Sequence, residues 1–217
     1  MIDTVIFDLD GTLLNTLDDL TDSVNFALRQ MGCPERTKEE VRMAVGNSVD
    51  YLIEKVLPAQ HTEQDHARCK AIYEEHYRAN MQNKTAPYEG IDRMLKAVSE
   101  AGLNMAVVSN KSDEFTKALV AELFGAYIKT AVGQVYTRAR KPAPDGVFHA
   151  LDLLHANKAN AVYVGDSEVD ALTAKNAGLP CIGCLWGFRD RETLTKAGVT
   201  VMIETPAELL AAIQSIK

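Results

Sequence analysis

The sequence predicts an α/β fold: a mainly parallel sheet with helices on both faces, interrupted after its first strand by an all-helical segment. A short run at 4–7, rich in β-branched and aromatic residues, reads as a buried strand. From about Leu17 to Met81 the pattern is helical throughout, without strand-like alternation. From Ile91 onward strands and helices alternate, which is typical of parallel sheets built from βα units.

The helical segment contains four predicted helices. They are Leu17–Met31 after a Thr16 cap, a helix following Thr37 through Val45, one from Ser48 that ends before Pro58, and one from Thr62 to about Met81. Thr37 followed three residues later by Glu40 has the spacing of a capping box, in which each residue bonds the other's backbone N–H. This segment therefore forms a helical insertion.

The remainder of the chain supplies the other strands and helices of the sheet. Strands are predicted at Leu103–Val108, Ile128–Val132, Ala161–Val164, Cys181–Leu185 and Val201–Ile203, and helices at Ile91–Ala101, Ser112–Leu123, Asp145–Ala156, Ser167–Ala177 and Pro206–Ile216. We predict a core of residues 1–14 and 84–217 and a helical cap of residues 15–83. The cap is expected over the carboxyl edge of the sheet, because the chain leaves the sheet just after Asp10.

Composition narrows the functional class. The 217 residues carry a formal net charge of −7, which disfavours binding to nucleic acid and to anionic membranes. No apolar run approaches the roughly 20 residues of a membrane span, and we expect a cytoplasmic protein. Cys181 and Cys184 have the spacing of a redox or zinc pair, but they lie in a predicted strand without a second pair, which favours core packing.

Carboxylates follow the first strand directly. Asp8 and Asp10 stand at its carboxyl end, where an open α/β sheet opens its ligand crevice, and Gly11 lets the backbone turn. Buried carboxylates require a cation or a reacting group. The alternative, an Asp-Gly turn in a hairpin, is disfavoured because no partner strand follows.

Further polar residues stand at the ends of other predicted strands or in loops beside them. They are Ser109-Asn110-Lys111, Lys141-Pro142 and Gly165-Asp166-Ser167, with Asp170 one helical turn beyond Asp166. Taken singly, Ser109 and Asp166 could be helix caps and Lys141 a solvated loop charge. Their occurrence together predicts one chemical site at the carboxyl edge of the sheet.

These segments resemble the four motifs of the haloacid dehalogenase-like hydrolase superfamily. The motifs are Asp8-Leu9-Asp10-Gly11-Thr12, Ser109-Asn110, Lys141-Pro142 and Gly165-Asp166-Ser167-Glu168-Val169-Asp170. The position of the helical insertion is similar to that of the subclass with a C1-type cap, which implies a Rossmann-like parallel sheet core.

Three further segments, which are less specific than the four motifs, resemble those of phosphoglycolate phosphatases within that superfamily. They are 41–47 in the cap, 108–111, and Leu185-Trp186-Gly187-Phe188-Arg189. Asn15 stands where many relatives carry Asp, and Ser109 where Thr is frequent, which keeps the hydroxyl.

The resemblance implies an Mg²⁺-dependent phosphomonoester hydrolase that works through an aspartyl-phosphate. In such an enzyme Asp8 would be the nucleophile, Asp10 the general acid and base, and Lys141 would stabilise the phosphoryl oxygens. Substrate-binding candidates are Thr12, Ser109, Asn110 and Arg42. The metal would be held by Asp8, Asp166 and the backbone carbonyl of Asp10, with Asp170 supporting the metal shell or orienting Lys141.

The expected partner is a small phosphate ester, with 2-phosphoglycolate first, and the chain is expected to be a monomer or homodimer. Arg42, beside a turn at Gly46, could bind a second anionic group, or could equally lie on the outer face of its helix, in which case Lys111 and Arg189 are the next candidates.

Other functions remain open at this point. A sugar phosphate, nucleotide or pyrophosphate is an alternative substrate. A dehalogenase would not need the full carboxylate set, and a mutase is disfavoured because 16–20 contain no histidine. A phosphonate hydrolase would need a cap lysine, for which Lys38 and Lys55 are the early candidates. A regulatory binding module that has lost turnover is a further alternative.

Overall fold

The structure, a computed structural model, describes residues 1–216. The chain divides into two compact units. One contains Met1–Leu14 and the chain from Pro87 onward, and the other contains Asn15–Ala86. None of the helices in residues 1–216 has the length and hydropathy needed to cross a membrane.

A six-stranded parallel sheet forms the centre of the first unit. The strands of the chain are β1 (Thr4–Phe7), β2 (Leu14–Asn15), β3 (Ala86–Pro87), β4 (Asn104–Ser112), β5 (Thr130–Gln134), β6 (Ala161–Gly165), β7 (Cys181–Cys184) and β8 (Val201–Ile203). The sheet order is β5-β4-β1-β6-β7-β8, and β2 and β3 form a separate two-stranded sheet. The predicted α/β class with a parallel sheet is confirmed.

Helices follow the strands of this unit. They are α5 (Ile91–Glu100), α6 (Asp113–Phe124), α7 (Asp145–Leu154), α8 (Glu168–Ala177), α9 (Arg191–Lys196) and α10 (Leu209–Ser215), with short 3₁₀ turns at Lys158–Asn160 and Pro206–Glu208. Helix α9 was not predicted from the sequence. It has only six residues, and Asp190 caps it by accepting a hydrogen bond from the N–H of Thr193.

Strand β1 is buried on both faces, which fixes it at the centre of the sheet. Val5 and Phe7 point to one face and Ile6 to the other, and all three are inaccessible to solvent. Ile6 packs with Val147 of α7 and Ala174 of α8 in one apolar cluster. A strand covered on both sides holds the residue that follows it firmly in place.

The second unit is all-helical. Its helices are α1 (Leu17–Gln30), α2 (Lys38–Ala44), α3 (Val49–Val56) and α4 (Glu63–Asn80), close to their predicted bounds. The capping box of Thr37 and Glu40 is confirmed, and Thr62 forms a second one with Asp65. In α1, Val24 and Leu28 lie on the buried face, and α4 contributes Tyr73 and Tyr77 to the interior of the unit.

The predicted end of β4 was wrong. The sequence indicated that the strand stops at Val108, whereas it continues to Ser112 with a register shift between Val108 and Ser112. The extension forms because Ser112 pairs with Gln134 of β5 beyond the irregular stretch. The residues Ser109, Asn110 and Lys111 are therefore part of the strand and are buried.

Candidate active site

Parallel pairing brings the polar motifs of the first unit to one edge. Phe7, the last residue of β1, lies opposite Val107 of β4 and Val164 of β6. Asp8 follows β1 at once, whereas β4 and β6 continue past these positions, so that Ser109 and Asp166 each stand two residues beyond the partner of Phe7, at the edge where open α/β sheets form their ligand crevice. Asp8, Ser109 and Asp166 are all less than a tenth exposed.

The turn after β1 fits tightly against Asp166. Gly11 has a φ of +89°, and a Cβ atom at this position would overlap the Asp166 carboxylate. The hydroxyl of Thr12 donates a hydrogen bond of 3.0 Å to Asp166 Oδ1. Glycine is required here by both the backbone conformation and the close approach.

Lys141 links two carboxylates and a tyrosine hydroxyl from separate parts of the chain. Its Nζ lies 2.8 Å from Asp8 Oδ1 and 2.7 Å from Asp170 Oδ1, and it also donates to the hydroxyl of Tyr163 at 3.1 Å. Although burial by itself lowers the pKa of Lys141, the carboxylates of Asp170 and Asp8 raise it well above its usual value. Lys141 is therefore a buried, charged ammonium group beside Asp8.

Asn110 fixes the backbone of Lys141. Its Oδ1 accepts from the N–H of Lys141 at 2.8 Å, and its Nδ2 donates to the carbonyl of Lys141 at 3.1 Å. This contact gives the amide a positioning role, in addition to any contact with substrate.

Asp170 is engaged through both oxygens. Oδ1 accepts from Lys141 and from the hydroxyl of Tyr163, and Oδ2 accepts from the hydroxyl of Ser167 at 2.6 Å and from the N–H of Asp166 at 3.2 Å. Ser167 and Asp170 form the capping box of α8. Asp170 thus holds Lys141 and the start of the helix together.

The carboxylates form a group suited to a cation. Asp8, Asp166 and Asp170 each place an oxygen within 4.8 Å of the others. Burial and repulsion from Asp170 raise the pKa of Asp8 from 3.8 to about 7, and the same two causes raise that of Asp166 well above its usual value. Asp8 Oδ1 is buried and accepts no hydrogen bond of good geometry. Carboxylate oxygens that repel one another are suitable ligands for a hard divalent cation such as Mg²⁺.

A second buried ion pair joins Asp10 and Lys111. Lys111 Nζ donates to both oxygens of Asp10, at 2.9 and 3.0 Å. The N–H of Lys111 also donates to the hydroxyl oxygen of Ser109 at 3.2 Å. The site therefore contains two ammonium groups, one beside Asp8 and one on Asp10.

The loop after β7 closes around Asp166, a role that sequence reasoning missed. The N–H of Phe188 donates to Asp166 Oδ2 at 2.8 Å, and Trp186 Nε1 donates to the carbonyl of Thr12 at 2.9 Å. A Cβ atom at Gly187 would overlap Asp166 Cβ and the carbonyl of Gly11. In the sequence, the single tryptophan followed directly by glycine was the feature that could have indicated a close contact of this loop with the site. Tyr163 was also missed, although a hydroxyl within an otherwise apolar buried strand was a signal.

Arg42 belongs to the helical unit. Its guanidinium donates to both carboxylate oxygens of Glu39, at 2.6 and 2.8 Å. The side chain is about one third exposed, at 31%. Its predicted role in substrate binding stays a prediction.

The cysteines of β7 are packing residues in a strand. Burial, followed by the charge of Asp170, raises the pKa of Cys181 to about 12, and burial raises that of Cys184 well above its usual value. Both are free thiols. Among residues 1–216, the metal-compatible group consists of aspartates alone.

Comparison of the sequence with known proteins identifies one family. The sequence model of the haloacid dehalogenase-like hydrolases matches residues 5–184. A phosphoglycolate phosphatase of Agrobacterium fabrum is 33% identical over 189 residues, covering 85% of this chain and 81% of its own length. Phosphoglycolate phosphatase 1 of Pseudomonas aeruginosa is 30% identical over 212 residues, covering 95% and 78%.

A solved structure is similar over nearly its whole length. A proposed phosphoglycolate phosphatase from Lactobacillus delbrueckii subsp. bulgaricus superposes with a TM-score of 0.92 at 33% sequence identity. The superposition covers 97% of this chain and 98% of the other.

Proposed function

Since the chain belongs to the haloacid dehalogenase-like hydrolase family, we propose that it is an Mg²⁺-dependent phosphatase acting on 2-phosphoglycolate. The observation that carries the proposal is the buried group of Asp8, Asp166 and Lys141 at the carboxyl edge of the sheet. Relatives with 30% and 33% identity that are named phosphoglycolate phosphatases support the choice of substrate.

Asp8 and Asp166 would hold the metal through their carboxylates, and Asp10 through its backbone carbonyl. When bound, Mg²⁺ would neutralise charge on the phosphate dianion and on the carboxylates around it. Asp170 would serve by holding Lys141, because both of its oxygens accept hydrogen bonds from protein groups. Thr12 and Phe188 would keep Asp166 oriented through their bonds to its two oxygens.

Asp8 would act as the nucleophile. Its carboxylate oxygen would attack phosphorus, forming an Asp8–phosphorus bond as the bond from phosphorus to the ester oxygen breaks. Lys141 and the Ser109 hydroxyl would bind the phosphoryl oxygens, since Lys141 already lies 2.8 Å from Asp8.

Asp10 would transfer the protons. It would give a proton to the departing alkoxide oxygen and then take one from the water that attacks the phosphorylated Asp8. That second displacement would release inorganic phosphate, restore the Asp8 carboxylate and leave Asp10 protonated for the next cycle.

The test is a hydrolysis screen of the purified chain with Mg²⁺. The panel contains 2-phosphoglycolate, sugar phosphates, nucleotides, pyrophosphate and para-nitrophenyl phosphate. We expect 2-phosphoglycolate to have the highest kcat/KM, chelator to abolish phosphate release, and Mg²⁺ to restore it better than Ca²⁺. Preference for another phosphate ester would overturn the substrate, and chelator-resistant turnover would overturn the metal-assisted mechanism.

A further inference from the structure

Lys111 is a buried cation that the phosphoryl chemistry does not use. Its side chain is 5% exposed, and its partner Asp10 is 13% exposed. Placing an ammonium group in such an environment is costly unless it is paired, and here both oxygens of Asp10 serve as its partner. The two residues lie 101 positions apart in sequence, so the fold itself forms the pair.

The ion pair with Lys111 bears on the proposed role of Asp10 in proton transfer. A general acid and base must give and receive a proton through one of its carboxyl oxygens. Both oxygens are occupied by hydrogen bonds from Lys111. Each oxygen keeps a second lone pair, so Asp10 can exchange a proton while Lys111 stays in place. An anion of the substrate that draws the ammonium group away opens the carboxyl group further to the leaving group.

A substrate with a second negative charge supplies that anion. The ester oxygen of the substrate has to lie against Asp10 to be protonated, and Lys111 Nζ is 2.9 Å from Asp10 Oδ1. In 2-phosphoglycolate, a single methylene group separates the ester oxygen from the carboxylate. A carboxylate at that spacing reaches the ammonium group that faces the same Asp10.

We propose that Lys111 binds the substrate carboxylate and so determines specificity, moving from Asp10 to the substrate when 2-phosphoglycolate enters. The inference rests on the proposed function and names the residue that selects its substrate class. A neutral phosphate ester leaves Lys111 on Asp10, whereas an ester with a neighbouring carboxylate frees the general acid. Recognition of the second charge is thereby coupled to proton transfer.

The local chain supports this assignment. Ser109 and Lys111 lie in the same irregular stretch of β4, and the N–H of Lys111 donates to the Ser109 hydroxyl oxygen at 3.2 Å. One short segment therefore presents a hydroxyl for the phosphoryl group and an ammonium for the carboxylate. The other candidates are paired with glutamates, Arg42 through two hydrogen bonds with Glu39 and Arg189 through a hydrogen bond of 3.1 Å from Nε to Glu168 Oε2.

The experiment compares two substrates of nearly equal size. They are 2-phosphoglycolate and its carboxamide analogue 2-phosphoglycolamide, which has the same alkoxide-type leaving group without the second charge. Wild type, Lys111→Met, Lys111→Arg and Arg42→Ala are assayed with Mg²⁺ for kcat/KM. Lys117→Met is the matched control, because Lys117 pairs with Asp113 in α6 and is 61% exposed.

We expect Lys111→Met to lower kcat/KM for 2-phosphoglycolate about 10- to 100-fold, the range for a hydrogen bond between charged groups. The value for 2-phosphoglycolamide changes far less, Lys111→Arg keeps part of the preference, and Arg42→Ala and Lys117→Met keep it fully. The neutral substrate also reports that the Lys111→Met chain is folded and active.

Four results would overturn the inference. Equal losses on both substrates would assign Lys111 to holding Asp10 alone. A wild-type enzyme that does not distinguish the two substrates, or a preference lost in Arg42→Ala and kept in Lys111→Met, would remove Lys111 as the selector while leaving the phosphatase intact. Absence of hydrolysis of any phosphate ester would instead defeat the proposed function and the inference with it.

Discussion

The two units of the molecule use charge in opposite ways. In the α/β unit, Lys141 and Lys111 are 4% and 5% exposed and pair with aspartates from other elements. In the helical unit, Arg42 pairs with Glu39 three residues away, and Lys70 pairs with Asp50, whose side chain is 53% exposed. Solvent screens the second kind of pair, whereas the first kind depends on the fold around it. The two buried Lys–Asp pairs therefore distinguish the α/β unit, whereas Asp19, which is buried in the helical unit, accepts from the backbone N–H groups of Lys84 and Thr85.

The contrast between the charged residues of the two units is tested most strongly by removing the proposed nucleophile, Asp8. Asp8→Asn nearly preserves shape and should lower kcat by about 10⁴-fold or more, because the amide cannot form the covalent intermediate. Asp50→Asn, the matched change in the helical unit, should leave kcat unchanged. Phosphate release measured with Mg²⁺ checks both, and substantial turnover in Asp8→Asn would show that another group attacks phosphorus.

The free energy of unfolding should distinguish a buried lysine of the α/β unit from a lysine of the helical unit whose partner is exposed. Lys141→Met leaves Asp8 and Asp170 buried without their cation and should cost about 3–5 kcal/mol of unfolding free energy in metal-free protein. Lys70→Met breaks an exposed pair and should cost less than about 1 kcal/mol. Urea unfolding monitored by circular dichroism gives both values, and similar costs would mean that burial does not distinguish these pairs.

The metal-free site should also make stability depend on pH. Because the pKa of Asp8 is raised from 3.8 to about 7, the folded chain retains a proton that the unfolded chain releases between about pH 4 and 7. Stability is therefore lost as pH rises through this window. We expect the Tm in chelator to fall between pH 5 and 7.5, Mg²⁺ to reverse the fall at pH 7.5, and Asp8→Asn to reduce it. A Tm that rises over this range in chelator would contradict the raised pKa.

The motifs of the site were accessible from sequence because each stands beside a short apolar strand. Asp8, Asp166 and Ser109 follow runs of buried residues, and strand ends converge in a parallel sheet. The contacts of Lys141 with Asn110 and Tyr163 were not accessible, since they join elements whose spacing in the chain gives no pattern. The extension of β4 to Ser112 was missed for a related reason. It depends on pairing with β5 and not on the propensities of Ser109 and Asn110.

The central position of β1 has a consequence for synthesis of the protein. Thr4 pairs with Asn104 on one side and with Ala161 on the other. The first strand to be synthesised therefore cannot pair until these much later residues have been synthesised. Asp166 acquires its last hydrogen bond only from Phe188. A nascent chain on the ribosome can therefore carry the nucleophile and the complete helical unit and still have no assembled catalytic centre. Pairings this distant in sequence are slow to form, so catalytic activity in this family member reports on completion of the whole sheet.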